Sequence, residues 1–534
     1  MKIEFKRIFF SFLLGFVLYT QILPISLAQT ATKSNINDII DKLSFDDLIK
    51  LSTTHNPEWD LNSRLNYVFY NPIVDNSYAK EDIKINNDKV LGDFIRIASW
   101  NIDRGLDVDY IKLLFLSPDE MMKKIFDPKV NKEKVKEQIE ILKKSNIIVL
   151  NEVDIGMPRT GYKNIAEELA KNLGYNYAFG VEFVEVDPAH LGLEDNEWSE
   201  ERILFPDKKY VVDKAKYKGL HGNAILSKFP LKNVRIIRLP NYYDWFGSEK
   251  MKIAEVEYIR RTAAEKIFRE DIIREIRQGS RMALLADVEI PGIKLPLTII
   301  AAHLENRVVP KYRYEQAKVL LDEIKNIENP VVLAGDFNTT ASDGSPTSIK
   351  REINKRIKDP QFIAKQILFY SIPYSFAVSS AESVTNLLRI YKNPAVINIP
   401  IISPNRERLL FLTLKKFQFK DGGQFDFEGV KNKSSNGRRG LLANSNQRDL
   451  RGFTPTFIFQ RPLFIGKYKL DWIFVKPAIK ESKDDKIFEF IPSSGRTLLE
   501  LNYAFDKLPS DHSPITVDLL LNPPSDTELN TKSR

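Results

Sequence analysis

Residues 330–338 read PVVLAGDFN. A short, continuous apolar run opened by Pro330 and closed by Asp336-Phe337-Asn338 describes a buried strand that finishes in polar groups. The segments around it fix the class. KYRYEQAKVLLDEIKNI (311–327) reads as a helix, and RMALLADVEI (281–290) and LPLTIIAAHLE (295–305) flank a Pro-Gly turn as a hairpin. Further strands are FIRIASWNI (94–102), IIVLNEV (147–153), GNAILSKF (222–229), KLDWIFV (469–475) and PITVDLLL (514–521). Helices fall on KEKVKEQIEILKKS (132–145), with apolar residues at helical spacing, and on NIAEELAKNLGY (164–175), closed by Gly174 as a C-cap. Strands in this number with helices between them predict a layered α/β domain whose sheets are covered by helices.

The chain has 534 residues, long for one domain and short for three, with net charge +8 and a pI near 9.0. That balance is compatible with phosphates, nucleic acid or anionic lipid as partners. No cysteine is present, which excludes thiolate catalysis and Cys-ligated zinc. Lys2, Lys6 and Arg7 precede the apolar run IFFSFLLGFVLY, and Ser26 and Ala28 stand at the small-residue positions of a cleavage site. Residues 1–28 are therefore expected to be a signal peptide and the protein to be exported, periplasmic or extracellular. The alternative is an uncleaved N-terminal membrane anchor. Residues 29–90 read as a polar extension with one short amphipathic helix near NDIIDKLSFDDLIKL (37–51). The main domain is expected over 91–521, interrupted at about 232–280 and 341–455, with a polar tail at 522–534. The second interruption includes KNKSSNGRRGLLANSNQRD (431–449), a composition that buries little apolar area.

Strand ends carry the chemistry. ASWNID ends in Asn101 and Asp103, VLNEVD in Glu152 and Asp154, AAHLEN in His303 and Glu305, LAGDFN in Asp336 and Asn338. Asp471 opens KLDWIF, and Asp511-His512 precede the last strand. Any one of these is most simply a cap, a turn or a satisfied hydrogen bond. Together they form a set. Oxygen donors such as Asn101, Glu152 and Asp511 suit Mg²⁺, Mn²⁺ or Ca²⁺. Two histidines suit proton transfer and stabilisation of a developing phosphorane charge, with Asp471 orienting His512. This is equipment for metal-assisted attack of water on a phosphoester.

The ordered motifs SWNID, LNEVD, HGNAILSKFPL, AAHLE, AGDFN, LDWIF and PSDHSPI resemble those of the endonuclease/exonuclease/phosphatase superfamily, over roughly residues 92–340 and 454–521. That superfamily includes deoxyribonuclease I, exonuclease III-type apurinic endonucleases, sphingomyelinases and inositol polyphosphate 5-phosphatases. The resemblance implies a four-layer α/β sandwich, two packed mixed β-sheets flanked by helices, with the two insertions noted above. It implies Asn101, Glu152 and Asp511 around a metal, Mg²⁺ in the first place. Asp336 and Asn338 would orient the attacking water or the phosphate, His303 would contact the phosphate, and His512 would pair with Asp471. Either His512 or Asp336 would be the general base; His512 with Asp471 is the expectation, with Asp336 orienting the water.

Some positions depart from the family pattern. Asn151 stands where the family usually has Gln before the metal glutamate. Asp103 matches the aspartate of apurinic endonucleases, while His303 replaces their tyrosine. Thr339-Thr340 and Asp511-His512 replace the corresponding residues of inositol 5-phosphatases, which argues against that branch.

On the substrate side, Asn223 is expected to hydrogen-bond the phosphate, and His221 beside it serves either there or structurally. Arg159 is a candidate for bidentate phosphate contact, as is the basic stretch at Arg438 and Arg439, which reads better as solvated surface. Asp103 completes the substrate side. The cluster Tyr242, Tyr243, Trp245, Phe246 has three roles open to it: sealing the insertion onto the core, stacking bases, or peripheral contact with a membrane. The expected substrate is a phosphodiester, nucleic acid first, with a sphingomyelinase-like or other phospholipid phosphodiesterase and a non-catalytic phosphate-binding protein as the alternatives. No protein partner is expected, and the chain is expected to be a monomer.

Overall fold

The computed structural model describes residues 33–79, 85–89, 92–193, 211–250, 276–339, 408–426, 456–459, 466–479 and 489–522. The signal-peptide reading, Arg438 and Arg439, most of the 341–455 interruption and nearly all of the C-terminal tail lie outside them. Among the described residues no helix is long and apolar enough to cross a membrane.

Two sheets face each other. The first contains β1 (Ile73–Asp75), β2 (Asn86–Asp88), β3 (Gly92–Asn101), β4 (Ile147–Ile155), β5 (Asn176–Glu185), β6 (Leu220–Ser227), β8 (Arg277–Gly279), β15 (Ile491–Thr497) and β16 (Ile515–Leu520). Its main order is β1-β5-β6-β4-β3-β16-β15, with β2 on β3 and β8 on β5. The second runs β14-β11-β10-β9-β7, built from β7 (Leu231–Arg238), β9 (Met282–Val288), β10 (Leu297–His303), β11 (Val331–Asp336) and β14 (Asp471–Lys476). A small pair, β12 (Phe457–Phe459) with β13 (Gly466–Tyr468), stands apart from both. Pairs β3–β4 and β10–β11 are parallel and their other neighbours antiparallel, so both sheets are mixed.

The core divides according to strand parity. Ile95, Ile97, Ile147, Val149 and Ile225 of the first sheet meet Ile299, Ala301, Val332, Ala334, Ile473 and Val475 of the second. The alternate residues Ala98, Trp100, Ile148 and Leu150 face helices α1 (Lys33–Ile40), α2 (Phe45–Thr53), α3 (Trp59–Tyr70), α4 (Val108–Leu116), α5 (Lys132–Lys143) and α6 (Ile165–Leu173). Ile300, Leu333, Trp472 and Phe474 face α7 (Pro310–Ile324) and α8 (Arg408–Lys416). Helix, sheet, sheet, helix is the four-layer sandwich that the motifs implied.

The sequence reading missed three features. The stretch read as a single helix at 37–51 is two, α1 and α2. Ser44 accepts from Asp47 N at 3.2 Å while its own N–H donates to Asp47 Oδ2 at 2.9 Å, a capping box that starts a new helix. Ser44→Ala is expected to lower stability by about 1 kcal/mol in denaturant titration, the usual worth of such a cap. Next, residues before 91 are part of the domain: Leu48, Leu51, Leu61, Leu65 and Val68 are buried against the first sheet, and β1 and β2 extend it. Finally, the 232–280 interruption begins inside β7, whose residues pair with β9, and ends in β8. The exposed Asn233 and Arg235 of an edge strand, with the half-buried Lys232, hid its alternation.

Candidate active site

The parity that fills the inter-sheet core also builds the site. Ile95, Ile97 and then Asn101 share one face of β3; Val332, Ala334 and Asp336 share one of β11; Val475, Ile473 and Asp471 share one of β14. On β10 the series Ile299, Ala301, His303 does the same. In register, His303 lies opposite Asp336 and Asp336 opposite Asp471, while Asn101 lies opposite Asn151 in the other sheet. The polar residues are thus the last rung of the core, at one end of the cleft between the sheets.

Backbone strain gathers there. Asp103 (φ 46°), Arg104 (φ 62°), Glu152 (φ 52°) and Asn338 (φ 47°) all adopt the left-handed region, which is uncommon for non-glycine residues. Glu152 sits where β4 loses register with β6 between Leu150 and Val153, a bulge that re-aims its side chain. Gly335 has φ 139°, and a Cβ there would lie 1.9 Å from Ala302 O. Only glycine lets β11 pass β10 one residue before Asp336.

His512 Nδ1 lies 2.8 Å from Asp471 Oδ2, and its Nε2 faces Asp336 Oδ2 at 3.9 Å. Its loop is fastened to the first sheet. Trp100 Nε1 donates to His512 O (2.8 Å), and Ser510 Oγ donates to Asn101 O (2.7 Å) while accepting from His512 N (3.1 Å). Burial works against the imidazolium, yet Asp471 and then Asp511 outweigh it and hold the ring's proton affinity well above its ordinary value. Asp336 Oδ1 accepts from Asn338 N (2.8 Å), and its Oδ2 accepts from Asn101 Nδ2 (3.2 Å). Asn338 Nδ2 donates to Leu304 O at 3.0 Å and stands 3.2 Å from His303 Nε2.

Opposite this group are Asn101, Asp103, Glu152 and Asp511. Asn101 Nδ2 donates to Glu152 Oε1 (3.1 Å), and Asn101 Oδ1 accepts from Asp103 N (3.1 Å). Asp511 is exposed. Desolvation first, then the charges of Asp103 and Glu152, raise its carboxyl well above the usual range. Desolvation and Glu152 also raise Asp103 against the pull of Arg104. Glu152 goes the other way. Burial opposes its charge, but Arg104, His303 and His221 bring it down to about 2. Clustered carboxylates, in which Glu152 raises both Asp103 and Asp511, suit a hard divalent cation. A second grouping, Asp336, Asp471 and His512, brings one ligand atom each within 4.8 Å of the others. There His512 Nδ1 is already engaged by Asp471.

Nine of the expected residues therefore meet: Asn101, Asp103, Glu152, His303, Asp336, Asn338, Asp471, Asp511 and His512. Two stand behind them. Asn223, fully buried, donates to Glu182 Oε1 (2.9 Å) and accepts from Asn151 Nδ2 (2.8 Å). Arg159 spends its fork on Asp154, Nε to Oδ2 at 2.7 Å and Nη2 to Oδ1 at 3.1 Å, with Glu185 3.5 Å from Nη1. His221 joins that pair, its Nδ1 2.8 Å from Asp154 Oδ1. Asn151, standing where the family usually has Gln, links the sheets, donating to Ala302 O (3.2 Å) and accepting from Asp336 N (2.9 Å). The sequence reading passed over Arg281 and Glu182, buried partners of His303. Each is one charged residue beside an apolar run, a signal too small to separate from an ordinary strand end.

In the aromatic cluster, Trp245 and Phe246 are buried. Trp245 Nε1 donates to Glu305 Oε2 (2.9 Å), and its ring meets Phe183 and Tyr243 edge to face. Of the three roles open to these two side chains, sealing is the one they fill.

Residues 98–512 match the model of the Endonuclease/Exonuclease/phosphatase family. Among solved structures, the chain is similar to an endonuclease/exonuclease/phosphatase from Beutenbergia cavernae DSM 12333. Identity is 17%, coverage is 80% of this chain and 72% of that one, and the TM-score is 0.37. It is similar also to the 3′-5′ exonuclease NExo from Neisseria meningitidis (13% identity, 80% and 99% covered, TM-score 0.36). A third is the human Nocturnin catalytic domain with bound sulfate (16%, 80% and 92%, TM-score 0.34). A comparison with curated proteins returns no match. With the motifs in order, two mixed sheets converging their polar strand ends, and a family match over residues 98–512, this chain belongs to the endonuclease/exonuclease/phosphatase family, whose members hydrolyse phosphoester bonds.

Proposed function

We propose that the protein is an exported, divalent-metal-dependent phosphodiesterase, with nucleic acid as the first substrate class to test. The observation that carries this reading is the His512–Asp471 pair at 2.8 Å, facing Asp336 at 3.9 Å across the cleft from the Asp103, Glu152 and Asp511 carboxylates. Asn101, Glu152 and Asp511 would hold the ion, with Mg²⁺ the natural occupant and Mn²⁺ or Ca²⁺ compatible with the same oxygens. When bound, such an ion supplies positive charge for the phosphoryl oxygens.

The protein's own groups do the rest. A water placed between His512 Nε2 and Asp336 Oδ2 loses a proton to His512 as its oxygen bonds to phosphorus. The ester P–O bond opposite then breaks. Asp471 holds the ring and offsets the charge it gains. Part of the pull on the His512 proton comes from Asp511, and neutralising that carboxylate with a bound cation would bring the ring toward the working range of a base. Asn338 and His303 face the phosphate from the second sheet. The burial of Trp245 and Phe246 leaves no support in those two side chains for a lipid surface as substrate.

The test is a panel of DNA, RNA, sphingomyelin, phosphoinositides and sugar phosphates, each assayed with Mg²⁺, Mn²⁺ and Ca²⁺ and again with chelator. Turnover of a nucleic-acid phosphodiester that chelator abolishes is the expected outcome. Turnover indifferent to chelator would remove the metal role, and turnover confined to sphingomyelin would replace the substrate class. Metal binding without turnover of any substrate would favour a phosphate-binding protein.

A further inference from the structure

His303 is held from behind by a guanidinium. Arg281 Nη1 lies 2.7 Å from His303 Nδ1 and 2.9 Å from Glu182 Oε2, so its two hydrogens have one acceptor each. Arg281 and Glu182 are buried, and Asn223 fixes the other Glu182 oxygen at 2.9 Å. Glu305 Oε2 stands 3.6 Å from Arg281 Nε. A guanidinium only donates, so the Nδ1 that faces it must present its lone pair. A histidine ring that accepts at Nδ1 carries its proton on Nε2. That nitrogen points into the cleft, 3.8 Å from Asp336 Oδ2 and 4.0 Å from Glu152 Oε1. One hydrogen of Asn338 Nδ2 goes to Leu304 O and the other competes for Nε2 at 3.2 Å, but the shorter, charge-assisted contact of Arg281 with Nδ1 at 2.7 Å decides the tautomer.

We infer that Arg281 is a positioning residue that locks His303 in its Nε2–H tautomer, making it a fixed hydrogen-bond donor to the substrate phosphate rather than a proton acceptor. Without Arg281, the nearest partner of Nδ1 is Glu182 Oε2 at 3.5 Å, a carboxylate that calls for a proton on Nδ1 instead. The ring would then turn a lone pair toward the phosphate oxygens and repel them. The two histidines of the cleft are thus divided by their rear partners. His512, backed by the Asp471 carboxylate, carries hydrogen on Nδ1, whereas His303, backed by a guanidinium, accepts there. The inference rests on the phosphodiesterase reading for its consequence but not for its chemistry.

The test is ¹⁵N NMR of the full chain labelled at histidine, in the metal-free protein without substrate, with His303→Gln used to assign its ring signals. A pyridine-type Nδ1 and a pyrrole-type Nε2 at His303 are expected, and the opposite pattern would overturn the proposal. In Arg281→Met the pattern should reverse, and turnover should fall through kcat more than through KM. Retention of the Nε2–H pattern in a folded Arg281→Met would show that Arg281 does not set it. Should that variant fail to fold, the wild-type spectrum still decides, because Nδ1–H beside an intact Arg281 contradicts the lock. If instead the tautomer is as expected but no phosphoester is turned over, the lock stands and the phosphodiesterase reading falls.

Discussion

His512→Gln is expected to lower kcat on a phosphodiester by about 10³-fold, in the range usual for loss of a positioned acid–base group. That factor corresponds to about 4 kcal/mol of barrier. The size follows from the geometry. His512 is the group whose two ring nitrogens join a buried carboxylate, 2.8 Å from Nδ1, to the water position in front of Asp336. Glutamine can keep a hydrogen bond to Asp471, but its amide cannot take up a proton. The fold should be little affected, because the loop is tied through backbone groups of residue 512, its carbonyl to Trp100 and its N–H to Ser510. Asp471→Asn should fall by a comparable factor, since an amide at Nδ1 permits the wrong ring tautomer. Rapid-quench measurement of kcat beside a thermal melt separates the two effects. A His512→Gln enzyme with unchanged kcat would assign the proton transfer to Asp336.

Glu152→Gln is expected to weaken divalent-ion binding by more than about 10²-fold, beyond what loss of an outer partner of a ligand costs. Turnover should fall with it and recover only in part at high metal concentration. The carboxylate stands beside Asn101, and its charge is retained despite burial because Arg104, His303 and His221 surround it. Glutamine keeps the volume and the bond to Asn101 but removes the charge that a hard cation requires. Titration calorimetry with Mn²⁺ reads the effect directly, independent of catalysis. Equal affinity in both proteins would move the ion to Asp336, Asp471 and His512, whose ligand atoms lie within 4.8 Å of one another.

Strand periodicity made most of this site legible. Each of the runs ending at Asn101, His303, Asp336 and Asp471 puts its polar terminus on the face that its apolar residues use for the core, and a period of two carries that from sequence to space. The order of the motifs then implied the layers, and the layers are as implied. Where single residues broke a local rule, the reading failed. The capping box at Ser44 split one expected helix into two, and the exposed polar residues Asn233 and Arg235 of β7 concealed a strand.

The sequence by itself determined which residues could do the chemistry and which ends of which strands would hold them. It could do so because alternation and residue type are local properties of the chain. Only the tertiary structure decided what stands behind each of them. Arg159 and Asn223 read as substrate contacts, but Asp154 and Glu182 lie close enough to claim them. Trp245 read as a seal, a base-stacking surface or a membrane contact, and it is buried with its Nε1 on Glu305, sixty positions away. His303 and His512 are the same residue in sequence. At Nδ1 one faces Arg281 and accepts, and the other faces Asp471 and donates, across separations of 22 and 41 residues. Buried hydrogen-bond partners are chosen by distance and direction, and packing sets both only once the two sheets have closed.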